Sequence, residues 1–248
     1  MKKLSYLLAL SGLVSVSAIA AESPHSIAYN VGVTTNYLFR GVSQSQGDPA
    51  ISGGVDYSHA SGFYAGAWAS TQKWVEDGGY KADSNLELDL YGGYKGAMGD
   101  VGYDVGLVTY YYPGDQMAAP ATDPDTTELY LGMSWKTLSL KYSYTVSDRF
   151  VGWSTTAGDK TKGSYYLDLS GSHDLGNGWG VVGHIGYQDV KDNDAASYTD
   201  YKLGVTKDVG FGTVTMAYTD TDADTAAYTW AGEEVAKGVF SLTFSKSF

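Results

Sequence analysis

A two-residue alternation recurs along almost the whole chain and restricts its fold more than any other feature. Every second residue from Ile27 gives Ile27, Tyr29, Val31, Val33, Thr35, Tyr37 and Phe39, while Ala28, Asn30, Gly32, Thr34, Asn36, Leu38 and Arg40 lie between them. A β-strand sends alternate side chains to opposite faces, so one face here is apolar and the other small and polar. The parity returns in NLELDLYGGY and TLSLKYSYTV, then in VGYDVGLVTYYY, ELYLGMSW, SYYLDLSGS, GVVGHIGYQ, DYKLGVTK, TVTMAY and the terminal GVFSLTFSKSF. ISGGVDYSH and FYAGAWAS carry it more weakly, because glycine and alanine blur the period. About twelve strands result, each near the 9 to 11 residues that a tilted membrane strand requires.

A soluble β-sandwich also alternates, so the connections must decide. Tight turns at HASG, KGAMGD, WKTL, DLGNG and KDVGF alternate with long polar segments at 41–49, 71–84, 113–126, 148–163, 189–198 and 220–237. Short turns on one side and long loops on the other mark an outer-membrane barrel, which also needs an even strand number. The polar face carries Arg40, Asp56, Glu87, Asp89, Asp104, Glu128, Lys141, Asp168 and Lys202. A dry core holding those groups would be costly, whereas an aqueous lumen removes the cost and leaves the apolar face to lipid. The fold class is therefore all-β, a transmembrane antiparallel up-and-down β-barrel. Tyr37, Phe39, Trp135, Tyr165, Trp179, Tyr187, Tyr201 and Tyr218 fall near expected strand ends, as interfacial girdles do.

The chain opens with Lys2 and Lys3, an apolar run from Leu4 to Val16, and Ala18-Ile19-Ala20. This is the layout of a cleaved signal peptide, expected at 1–20, followed by the barrel at 21–248. The apolar run is too short for a bilayer helix, which needs about 20 residues. Loss of Lys2 and Lys3 takes the formal charge from −12 to −14, a sign that excludes a basic nucleic-acid surface. There is no cysteine, so no disulfide framework supports the fold. Phe240, Leu242, Phe244 and Phe248 share parity at the end of the chain, a pattern that barrel-assembly machinery reads, although Lys246 interrupts it. The expected setting is the bacterial outer membrane, with lipid around the wall.

The stretch NYLFRGVSQSQGDPAISGGVDYSHASGFYAGAWAS, residues 36–70, resembles the TorF family of proposed porins from Gram-negative bacteria. YDVGLVTYYYPG at 103–114, ELYLGMSW at 128–135 and YKLGVTKDVGFGTVTMAYTDT at 201–221 extend the resemblance over most of the chain. It implies an outer-membrane barrel with a pore role and supplies no catalytic or ligand-binding residues. After Ser70 the family commonly continues with Asn and an acidic residue, whereas Thr71, Gln72 and Lys73 stand here.

Three functions compete. The first is a channel for passive diffusion of small hydrophilic solutes or ions, with a weak preference for cations because lumen carboxylates outnumber lumen cations. In this reading Arg40 ends the first strand and either contacts an anionic solute or, as favoured, ties the wall together by pairing with a neighbour such as Asp56. The second is a non-conducting barrel that binds partners through acidic external loops. The third, a hydrolase, would need His184 in mid-lumen with Asp168 and Ser170 on the preceding strand; His25 precedes the first strand, and His59 and His173 lie beside turns. No G-x-S-x-G or H-E-x-x-H motif occurs. DTDADT at 220–225 and DNDA at 192–195 lack the glycine and closing glutamate of an EF-hand loop, so neither a metal nor a cofactor is expected.

Overall fold

The computed structural model describes residues 23–81, 85–114, 116–117 and 123–248; the expected signal peptide at 1–20 lies outside them. Twelve strands close into one antiparallel barrel. They are β1 (His25–Thr34), β2 (Ala50–His59), β3 (Phe63–Thr71) and β4 (Leu86–Met98). Next come β5 (Val101–Tyr111), β6 (Thr126–Trp135), β7 (Leu138–Thr145) and β8 (Tyr165–Gly176). The ring ends with β9 (Trp179–Asp189), β10 (Tyr198–Asp208), β11 (Thr213–Thr221) and β12 (Val239–Ser247). Each strand pairs with its sequence neighbours. β12 returns to β1 in a register that sets Phe244 opposite Val33 and Lys246 opposite Val31. Phe248 extends this seam by exchanging backbone bonds with Tyr29 at 2.9 and 3.3 Å.

The alternation resolves as the sequence requires. Leu203 is 70% exposed and Leu90 50%, while Glu87 and Asp168 are 2% and 3% exposed on the inner face. Phe240, Leu242 and Phe248 face outward on the last strand. Trp135, Trp179, Phe63 and Phe211 stand outside near the short turns, and Tyr187, Tyr201 and Tyr218 stand outside near the long loops. His25 is the first residue of β1, not a residue ahead of it, and sits opposite His59.

The first strand departs from expectation at its outer end. It stops at Thr34, and the predicted continuation through Arg40 turns into the barrel. Thr34 Oγ1 donates to the Asn36 carbonyl at 3.0 Å, and the buried Asn36 side chain accepts from Ser43 and Ser45 hydroxyls at 2.6 and 3.2 Å. Such local side-chain bonds compete with the sheet ladder and bend the chain inward. Leu38–Phe39 then pairs with Val42–Ser43 as a two-residue-loop hairpin. Tyr37 and Phe39 therefore leave the expected outer girdle. Tyr37 packs edge-on to Trp68 and Phe39 edge-on to Tyr110, both within the lumen.

Above the hairpin the long loops interlock through three apolar clusters. Val42 joins Tyr198, Tyr228, Val235 and Ala236; Trp74, Val75 and Tyr112 form a second group; Phe150, Val190 and Ala196 form a third, against which Phe39 packs. The acidic stretch near 220–225 serves turn formation. Asp222 accepts the Thr199 N–H at 2.6 Å, and Asp224 accepts those of Ala226 and Ala227 at 2.9 and 3.0 Å.

Placing a charge on the lipid face tests this sidedness. Leu203→Arg is expected to destabilise the refolded barrel by about 2–4 kcal/mol in denaturant titrations in lipid vesicles.

Candidate functional site

The hairpin turn is built from Arg40 and Gly41, whose φ angles are 47° and 82°. A two-residue loop with positive φ at both positions matches the twist of its flanking strands and disfavours a side chain such as arginine there. Gly41 is required for a second reason: a Cβ at that position would lie 2.6 Å from Thr221 Cγ2 and 2.7 Å from Asp200 Cβ. The tip thus presses directly on the β10 and β11 wall.

What holds Arg40 in this posture is charge. Its Nη2 donates to Glu128 Oε2 at 2.6 Å and its Nη1 to Gln188 Oε1 at 2.7 Å, joining the hairpin to β6 and β9. The guanidinium also lies 4.2 Å from the Tyr166 ring centroid, 4.8 Å from Phe39 and 5.3 Å from Phe150. Burial alone lowers the Arg40 pKa, but the Glu128 carboxylate outweighs it and raises the value, so the cation persists. The expected partner was Asp56. That pairing does not form, because Arg40 is carried off the wall of β1 into the lumen, while Asp56 accepts from the Tyr91 hydroxyl at 2.5 Å and from Asn30 at 3.4 Å.

Tyrosines satisfy several other lumen carboxylates. Glu87 accepts from Tyr37 and Tyr112 hydroxyls at 2.6 and 2.9 Å. Burial, then the charge of Glu87, raises the Tyr37 pKa far above its ordinary value, which keeps it a neutral donor. Asp104 accepts from Tyr64 at 2.6 Å and faces Lys95 Nζ at 3.7 Å. Lys95 and Tyr112 were not singled out from the sequence, although the parity of YGGYKGAM places Lys95 inside.

His184 lies in the mid-lumen beside the two expected residues, with Ser170 Oγ 3.3 Å from its Nδ1, and Asp200 joins them. Its Nδ1 is 2.6 Å from Asp168 and its Nε2 2.6 Å from Asp200. Tyr166 donates to the same Asp200 at 2.9 Å, and Gly186 makes room for that phenol, since a Cβ there would meet its hydroxyl at 2.0 Å. An imidazole flanked by carboxylates at both nitrogens donates from both and has no lone pair left to accept a proton from Ser170, whose hydroxyl instead donates to Asp168 at 2.8 Å. This geometry does not support the hydrolase reading. Asp200 was not singled out from the sequence, although it opens the strand read from DYKLGVTK and shares the inward parity of Lys202.

With Asp200 inside, and with Lys95 and His184 joining Arg40, Lys141 and Lys202, the excess of lumen carboxylates over cations is smaller than the sequence suggested. The expected preference for cations receives no support from the shared fold. Beneath the hairpin lies a cavity of about 370 Å³ lined by Asp89, Lys141, Asp168, His184 and Lys202 from the wall and by Asn36–Gly41 as its roof. No described residue of the other long loops lines it.

A closed twelve-stranded barrel with a charged lumen and an inward-folded loop is a porin-type fold. The chain belongs to the Gcw_chp family, described as a bacterial protein of unknown function, whose model matches residues 18–248. Among solved structures it is similar to the NanC porin, at 12% identity and a TM-score of 0.56, with 90% of this chain and 99% of that one covered. It is also similar to the KdgM porin, at 7% identity and a TM-score of 0.52, with 90% and 97% covered. A further KdgM structure, at 8% identity and a TM-score of 0.52, is a complex with disordered oligogalacturonate, covering 90% and 97% of the two chains. At these identities the likeness is one of fold. Comparison with curated proteins gives no match.

Removing Arg40 would leave Glu128, which is fully buried, without its countercharge. Arg40→Met should cost about 3–5 kcal/mol in denaturant unfolding, and adding Glu128→Gln should restore most of it.

Proposed function

We propose that the protein is an outer-membrane channel for the passive diffusion of small hydrophilic solutes, exported through the signal segment at 1–20 and narrowed by the Leu38–Ser43 hairpin. The observation that carries this reading is the charged cavity enclosed by a barrel whose outer face is apolar. Water-exposed charge on the inside of a lipid-facing wall has little structural purpose unless polar solutes occupy the interior. The resemblance to the TorF family and the shared fold with NanC and KdgM support the same reading. Delivery to the membrane would use the terminal strand with Phe240, Leu242, Phe244 and Phe248 as the signal for assembly machinery.

The interlocked loops favour a second reading, a barrel that conducts little and presents its outer surface to a partner. Phe39 and Val42 belong to the same apolar clusters as the loops, so the hairpin cannot leave the lumen without unpacking them. Planar-bilayer recording separates the two. The full chain should give small step conductances, and deletion of residues 37–43 should enlarge them several-fold. Absence of steps in both proteins, with each migrating as a folded heat-modifiable barrel, would sink the channel and leave the binding protein.

A further inference from the structure

Most lumen charges have protein partners, but three that face the cavity make no hydrogen bond or ion pair with a described residue: Lys141, which lies over the Tyr130 ring at 4.3 Å, and Asp89 and Lys202. Asp89 makes no hydrogen bond or ion pair with any described residue, and its Oδ1 is fully buried without a partner. Lys202 likewise makes neither. The carboxylate nearest to it in sequence, Asp200, is already taken by His184 and Tyr166 at 2.6 and 2.9 Å. Asp89 stands on β4 and Lys202 on β10, six strands apart in a ring of twelve, and therefore face each other across the lumen.

Their surroundings differ in kind. Trp68, Tyr91 and Tyr110 line the cavity beside Asp89, and Trp68 and Tyr110 are its direct neighbours on β3 and β5. A carboxylate among aromatic faces is suited to an organic ammonium group, which gains both a charge-assisted bond and cation–π attraction. Around Lys202 the lining is Ser241, Thr219 and His184, whose two carboxylate partners Asp168 and Asp200 also line the cavity but are engaged by it, and Lys141 lies three strands further round, over the Tyr130 ring at 4.3 Å. That side is suited to a carboxylate. Both side chains are half-buried, so each has lost part of its hydration without gaining a partner, and a solute bearing both opposite charges would relieve the two at once.

We infer that the cavity is a binding site for small zwitterions of dipeptide size, with the ammonium group at Asp89 and the carboxylate at Lys202. The inference rests on the channel reading, since the site lies within the proposed solute path. A volume of about 370 Å³ accommodates a solute of that size.

The test is calorimetric titration of the refolded full chain with L-alanyl-L-alanine, its N-acetyl derivative, which lacks the ammonium group, and its C-terminal amide, which lacks the carboxylate. The dipeptide should bind about tenfold more tightly than either blocked form, the loss expected for one charge-assisted contact. Asp89→Asn should bring the dipeptide down to the affinity of its N-acetyl derivative, and Lys202→Met should bring it down to that of the amide. Since neither side chain bonds to the protein, both variants are expected to fold, and if one does not, the other carries the test. Equal binding of all three peptides, or an advantage for the dipeptide that survives both substitutions, would overturn the site. Conductance measured on the same preparation keeps the two ideas separate: a conducting barrel that binds the peptides alike loses only the zwitterion site, and a silent barrel that discriminates among them loses only the channel.

Discussion

The bilayer core supplies no hydrogen bonds, and this one constraint organises the molecule. Every backbone N–H and C=O of a spanning segment must find a partner within the protein, so the sheet must close. Here closure depends on a seam in which β12 meets β1 over Asn30–Thr34, extended by the bonds between Tyr29 and Phe248. Once the ring is shut, the two-residue parity has only one consistent meaning. Leucines and valines meet lipid, and carboxylates meet the interior.

Closure also creates a difficulty that shapes the lumen. Twelve strands enclose more space than wall side chains alone fill, and less than an open sixteen-stranded pore. The chain uses its first long loop to occupy the difference. That loop must enter a region already lined with carboxylates, which explains why its tip carries a cation. Arg40 neutralises Glu128, and the backbone conformation it adopts is one that arginine ordinarily avoids. The pairing and the close approach of Gly41 to Asp200 offset that conformational cost, which a solvent-exposed loop would have no reason to bear.

The sidedness of the wall, the number of strands and the division into short turns and long loops were all legible in the sequence, because each follows from a period or a length. The position of Arg40 was not. Parity from Ile27 continues unbroken through Phe39, and period alone cannot say whether a segment still pairs with its neighbours. The signal for the bend lay in Asn36, Ser43 and Ser45, polar residues whose mutual bonds exist only after the loop has folded back. Asp200 was within reach of the same parity, two residues before Lys202 in DYKLGVTK, but its partners His184 and Tyr166 lie on other strands. The partners of the lumen charges form across strands far apart in sequence, as Arg40 does with Glu128 and Gln188, and no local pattern encodes them.

The choice of partners has its own physical logic. A carboxylate held by a phenol is satisfied without being neutralised, because tyrosine donates a hydrogen bond and carries no charge. Glu87, Asp56 and Asp104 are held in this way, by Tyr37 and Tyr112, by Tyr91 and by Tyr64, with Lys95 standing further off from the last. On the opposite wall, in contrast, His184 is shared by Asp168 and Asp200 in direct ionic contact. The half of the lumen built from β2 to β5 therefore retains more negative potential than the half built from β7 to β10. A lumen polarised across its diameter orients any dipolar solute that enters it, and this field originates in the wall whether or not the hairpin is in place.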